Sequence, residues 1–471
     1  MTASDRPDDR SGRTPTDPGT LLGSVAATSL LCAGLLLAVG CTPPVDSIEA
    51  SPASATRLED LEVVLGAPLE LAPVHARVER VAREPMMVEH PSGAWFVTGY
   101  GSQDPQNSSP QQPPSLWRSN DQGTTWSAVD VGGPDDGAYG NSDVDLSVGP
   151  EGNLYFIVMG FDRSTFRGTH VTVGASTDIG ETWTWTVLSE TELDDRPWVR
   201  ATPDGRVHAI WNDGEGVAYA RSNDGGVTWS EQPRLHSAGG SSHLAVGPAG
   251  QIAVRIGPMS ASGHRNHPGE DWIAVSTDGG DNWTRHAPPG DGQWPTSIAE
   301  LGTNPRWVDP LAWSASGDLL HAWTTDMGLH IARSENQGAT WTTWRLAEPA
   351  PESSFFFPYL TGGFDITRGT AAGTTPPDTY AVSWFIGSAT GLQAQVARLT
   401  FGSDALTVER TEPFSLPIRR RIPNADEESW APDTGGEYFP AIVSRDGRIV
   451  AATTIQGDPD GDGFTVWVES R

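Results

Sequence analysis

Five times along this chain a serine is followed at fixed spacing by an acidic or amide residue, a glycine and a tryptophan. The copies are Ser119-Asp121-Gly123-Trp126, Ser176-Asp178-Gly180-Trp183, Ser222-Asp224-Gly226-Trp229, Ser276-Asp278-Gly280-Trp283 and Ser334-Asn336-Gly338-Trp341. The five serines stand 57, 46, 54 and 58 residues apart, a period that demands a repeat architecture. A short carboxylate followed by glycine closes a tight hairpin, because the side chain accepts backbone N–H bonds while glycine supplies the positive φ. The tryptophan then offers a large apolar plug between neighbouring sheets.

A second landmark precedes each box: a glycine turn between two apolar runs, as in Pro91-Ser92-Gly93, Pro150-Glu151-Gly152, Pro203-Asp204-Gly205, Pro248-Ala249-Gly250 and Ser316-Gly317. Each unit therefore reads as strand, glycine turn, strand, variable loop, strand, box, strand. Four antiparallel strands per unit is a propeller blade. Boxed units span roughly 84–131, 143–188, 197–235, 242–287 and 307–347. A sixth unit, 358–412, has strands but only a degraded Gly402-Ser403-Asp404 turn, and a seventh, 437–469, offers three strands. The expected fold is an all-β propeller of seven four-stranded blades, or six if the weak unit is an excursion. An N-terminal segment such as Leu61–Leu65 is expected to supply the missing strand and close the ring.

Residues 1–40 read as a leader, with a polar start and an apolar run from Leu21 to Gly40. Ala38-Val39-Gly40-Cys41 resembles a bacterial lipobox, which implies that Cys41 becomes the lipid-modified first residue of the mature protein. An uncleaved membrane span is the other reading of the same run. Residues 41–57 are rich in Pro, Ala and Ser and read as a tether, leaving 58–471 for the propeller. The expected location is the cell envelope, anchored on the extracytoplasmic side. All 30 basic residues are Arg, against 60 Asp and Glu, so nucleic acid is not an expected partner. A monomer is expected.

The boxes and glycine turns share one face, so ligand chemistry is expected on the other, around the start of each first strand. Counting back from the turn glycines gives Glu84, Asp143, Asp195 with Arg196, Ser241, Asp309, and Glu437 with Tyr438. A funnel rimmed by carboxylates, Arg and Tyr suits a polar ligand. Asp194-Asp195-Arg196-Pro197-Trp198 and Arg306-Trp307-Val308-Asp309-Pro310 look alike. Their tryptophans either stack on a sugar or pack between blades.

The box repeats resemble those of the sialidase superfamily, also called BNR-repeat proteins. That resemblance implies an extracellular glycan partner and three Arg that clamp a substrate carboxylate. It also implies a Tyr nucleophile aided by Glu, with an Asp acid/base. Arg83, Arg196 and Arg306 are the clamp candidates, Glu437 and Tyr438 the nucleophile pair, and Asp143 or Asp195 the acid; Glu84 and Asp309 would add substrate contacts. The Arg-Ile-Pro motif that precedes the first box in the family here follows the last, at Arg421-Ile422-Pro423. Two functions stay open: an exo-glycosidase of sialidase type, or a non-catalytic scaffold that binds protein or polysaccharide. No cofactor is required. Asp458, Asp460, Asp462 and, at the twelfth position, Glu469 match a calcium-loop spacing, so Ca²⁺ is the expected ion if any is bound.

Overall fold

The computed structural model describes residues 62–81, 83–101, 109–257, 271–290, 308–366, 378–388, 391–402, 405–416, 421–423, 430–432, 436–456 and 461–470. They form seven blades of four antiparallel strands arranged in a ring, the sheet of the sixth blade carrying two further short strands. The first strand of each blade lies innermost: Arg83–Glu89, Val144–Val148, Asp194–Ala201, Gly240–Val246, Leu311–Trp313, Ser353–Gly362 and Ala441–Val443. Neighbouring inner strands touch around the axis, and the apolar faces of successive blades pack into the core. Residues 421–423 and 430–432 pair as a separate two-stranded ribbon.

The boxes act as the sequence suggests. In the first, Gly123 N donates to Ser119 Oγ (2.8 Å), Thr125 N to Asp121 Oδ1 (2.8 Å), and Trp126 Nε1 to Gly123 O (3.0 Å). The indole of Trp126 meets Phe464 of blade 7 edge-on at 4.9 Å, so the corner also joins two blades. The fifth box keeps the pattern with an amide: Thr340 N donates to Asn336 Oδ1 at 2.8 Å. Since the strands alternate in direction, glycine turns and boxes share one face. The bond between His90 Nε2 and Gly152 O (2.7 Å) ties the turn of blade 1 to that of blade 2.

Ring closure differs from expectation in its strand. Leu71–Arg77 supplies the fourth strand of blade 7, antiparallel to Gly463–Glu469 from Leu71↔Glu469 to Arg77↔Gly463. Glu62–Leu65 lies parallel on the outer strand of blade 6, with Glu62 opposite Ala405. Length decides between them: seven residues match a seven-residue partner, whereas Glu62–Leu65 is four residues long. Pro73 is tolerated because this strand is outermost, where a missing N–H breaks no ladder.

Candidate functional site

The face opposite the boxes carries the starts of the inner strands, and three of them are bent there around a residue of positive φ. The ladder slips between Arg83 and Met86 in blade 1, between Asp195 and Trp198 in blade 3, and between Phe356 and Tyr359 in blade 6. Within each slip one non-glycine residue has positive φ: Glu84 (+46°), Arg196 (+52°) and Phe357 (+46°). Bulges of this kind re-aim a side chain and gather next to functional sites.

Two of the three bulges deliver charge to one place. Glu84, Asp143, Asp195 and Glu437 form an electrostatic cluster with Arg83 and Arg196, drawn from blades 1, 2, 3 and 7. Arg196 donates to Glu437, a nearly buried ion pair across the axis. The backbone of Arg196 is held in turn by Ser241, whose Oγ donates to Arg196 O at 2.9 Å. Glu437 N donates to Glu84 Oε1 at 3.3 Å. Gly436 makes this approach tolerable: at φ +113°, a Cβ there would sit 2.0 Å from Glu84 Cγ.

Glu84 is the residue left over. It is 4% exposed, and its Oε2 is buried without a hydrogen-bond partner among the described residues. Burial first, then the carboxylates of Asp143 and Glu437, hold its proton on to well above the usual carboxylate range. Burial and Asp143 do the same to Asp195. A buried carboxyl that keeps its proton is a hydrogen-bond and proton donor.

Below the carboxylates the channel is filled. Tyr438, 3% exposed, packs edge-on against Trp198 with ring centroids 5.3 Å apart; Trp198 meets His243 at 4.9 Å, and His243 meets Tyr359 at 5.9 Å. Trp198 is therefore a packing residue between blades. Burial raises the Tyr438 phenol well above its ordinary value, and nearby Asp143, Glu84 and Glu437 add to this against the pull of Arg196. Its surroundings keep the phenol protonated, the opposite of what an activated nucleophile needs.

Other residues singled out from the sequence fall elsewhere. Asp309 accepts from the fully buried Arg255 (2.9 Å), which also pairs with Asp271 (2.5 Å), so its carboxylate is already engaged within blades 4 and 5. Arg306 lies outside the described residues, as do Asp458, Asp460 and Cys41. Glu469 ends the strand that Asp462 precedes, about 23 Å away at ~3.3 Å per residue. There it accepts from Ile449 N (2.7 Å) and pairs with Arg398.

A second charged layer was not apparent from sequence. Asp145, 1% exposed, accepts from Val199 N (2.9 Å) and from Arg200, which also meets Tyr359. The available signal was alternation, since Asp145 stands two residues after Asp143 and faces the same side of the strand.

No protein-family model and no curated protein matches the sequence. Among solved structures, the chain is similar to the Hadza microbial sialidase Hz136, at 17% identity over 70% of this chain and 65% of that one, with a TM-score of 0.41. It is also similar to the GH74 xyloglucanase from Xanthomonas campestris (13% identity, 84% of this chain, 55% of that one, TM-score 0.47). A protein of unknown function from Dyadobacter fermentans matches at 12% identity over 73% of this chain and 99% of that one, with a TM-score of 0.38. The chain spans less than two thirds of the length of either named enzyme. The blades themselves define the architecture: the described residues form a seven-bladed all-β propeller.

Proposed function

We propose that the protein is an envelope-anchored propeller that binds an extracellular glycan at its channel mouth and cleaves a glycosidic bond there with carboxylates. The anchor rests on Cys41 in its lipobox-like setting. Catalysis rests on one observation, the buried, unpartnered Oε2 of Glu84 among three further carboxylates. Glycoside cleavage needs a carboxyl that can protonate the departing oxygen and a second carboxylate to assist attack. Glu84 fills the first role and Asp143 the second, while Arg196 and Glu437 hold the frame. Tyr438 forms the floor rather than the nucleophile. Product analysis across a broad panel of glycosides tests this: wild type releases sugar and Glu84→Gln does not. Binding without release by wild type would favour the scaffold function instead.

A further inference from the structure

On the same face as the channel mouth, a cleft of about 480 Å³ opens where blade 5 meets blade 6. Its size falls within the roughly 300–1,000 Å³ typical of small-molecule sites. Phe355 and Ile386, both nearly buried, give it an apolar floor, and Gln393 and Gln395 stand on the adjoining strand. Gln395 is fixed by donating from Nε2 to Thr411 O (2.8 Å). The lip is formed by the turn before the blade 6 inner strand. There Ser353 N and Oγ both donate to Ala350 O (3.0 and 2.7 Å), and Glu352 holds φ +61°.

The charges nearly cancel. Of the lining carboxylates Glu348, Glu352 and Glu412, the first is paired with Arg345 at 2.6 Å, and Arg410 also lines the cleft. A strongly charged ligand would find no counter-charge of matching size. Planar amides, carboxylates and serine hydroxyls above an apolar floor offer paired donors and acceptors for hydroxyl groups, with a surface for C–H faces. The inner wall reaches toward the axis: Tyr359, four residues after Phe355 on the same bulged strand, touches His243 in the channel.

We infer that this cleft is a second saccharide site, which takes a neutral sugar unit of the glycan whose other part occupies the channel mouth. The inference rests on the glycan reading of the mouth. It is tested by calorimetry with neutral cello- and xylo-oligosaccharides of increasing length, on the full chain and on two changes of residues that line the cleft, Gln393→Ala and Ser388→Trp. Glu437→Gln serves as the mouth variant. Affinity should rise at least about tenfold with chain length in wild type. Both cleft variants should lose that increment while binding the shortest ligand as wild type does, and Glu437→Gln should weaken the shortest. An increment untouched by both cleft variants, or a preference for amino or acidic oligosaccharides that the cleft variants abolish, would overturn the second site and leave the mouth reading standing. No binding of any saccharide to wild type would remove the mouth reading and the second site together.

Discussion

Arg196 of blade 3 and Glu437 of blade 7, 241 residues apart in sequence, form an ion pair beside the propeller axis. Neither faces bulk water, with side-chain exposures of 6% and 15%. Removing one partner of such a pair strands the other's charge, typically at about 3–5 kcal/mol. Arg196→Ala should therefore lower stability by that order in chemical denaturation. The double change Arg196→Met, Glu437→Met should recover most of it.

The mouth carboxylates also give stability a pH dependence of definite sign. Glu84, Asp195 and Glu437 release protons at higher pH in the folded chain than in the unfolded one, where carboxyls ionise near 4. The folded form then binds more protons above that point. Their contribution is full below about pH 4 and is lost as pH rises through the raised values. The box aspartates act in the opposite sense. Hydrogen bonds from Thr228 and Ser222 bring Asp224 down to about 2, so its contribution is present above its ordinary value and is lost as pH falls toward 2. Melting temperature should peak in mild acid and decline toward neutrality, and Glu84→Gln should flatten the neutral side.

At the boxes, geometry matters more than charge. The fifth box works with Asn336, so Asp224→Asn should keep the hairpin closed and lose only the contribution that falls away as pH drops toward 2. Gly226→Ala should cost far more, about 1–3 kcal/mol. Its φ is +89°, and a Cβ there would meet Ala175 and Tyr155 at 3.0 Å.

Closure by Leu71–Arg77 predicts that a chain beginning at Arg83 loses cooperative unfolding. Its blade 7 would expose the edge of Gly463–Glu469, a template for association. Light scattering and thermal denaturation check this. Removing only the residues through Leu65 should leave the ring closed.

Much of this molecule was legible from its repeats. Boxes and glycine turns locate the first five blades and strand patterns the last two, and counting back from the turns reaches Glu84, Asp143, Asp195, Arg196 and Glu437. What could not be read depends on partners distant in sequence. Whether Leu61–Leu65 or Leu71–Arg77 closes the ring is decided by the length of Gly463–Glu469. The bulges that turn Glu84 and Arg196 toward the axis depend on slippage against Tyr100 and Ile210, for which spacing along one strand gives no sign. Arg200 likewise shows its role only once Asp145 of the neighbouring blade lies against it.

The most direct test of the proposed chemistry is sugar release from a glycoside panel by wild type, Glu84→Gln and Tyr438→Phe, assayed side by side. Cleavage by wild type and by Tyr438→Phe, with none by Glu84→Gln, is the predicted result. Cleavage that survives Glu84→Gln but disappears in Tyr438→Phe would contradict it.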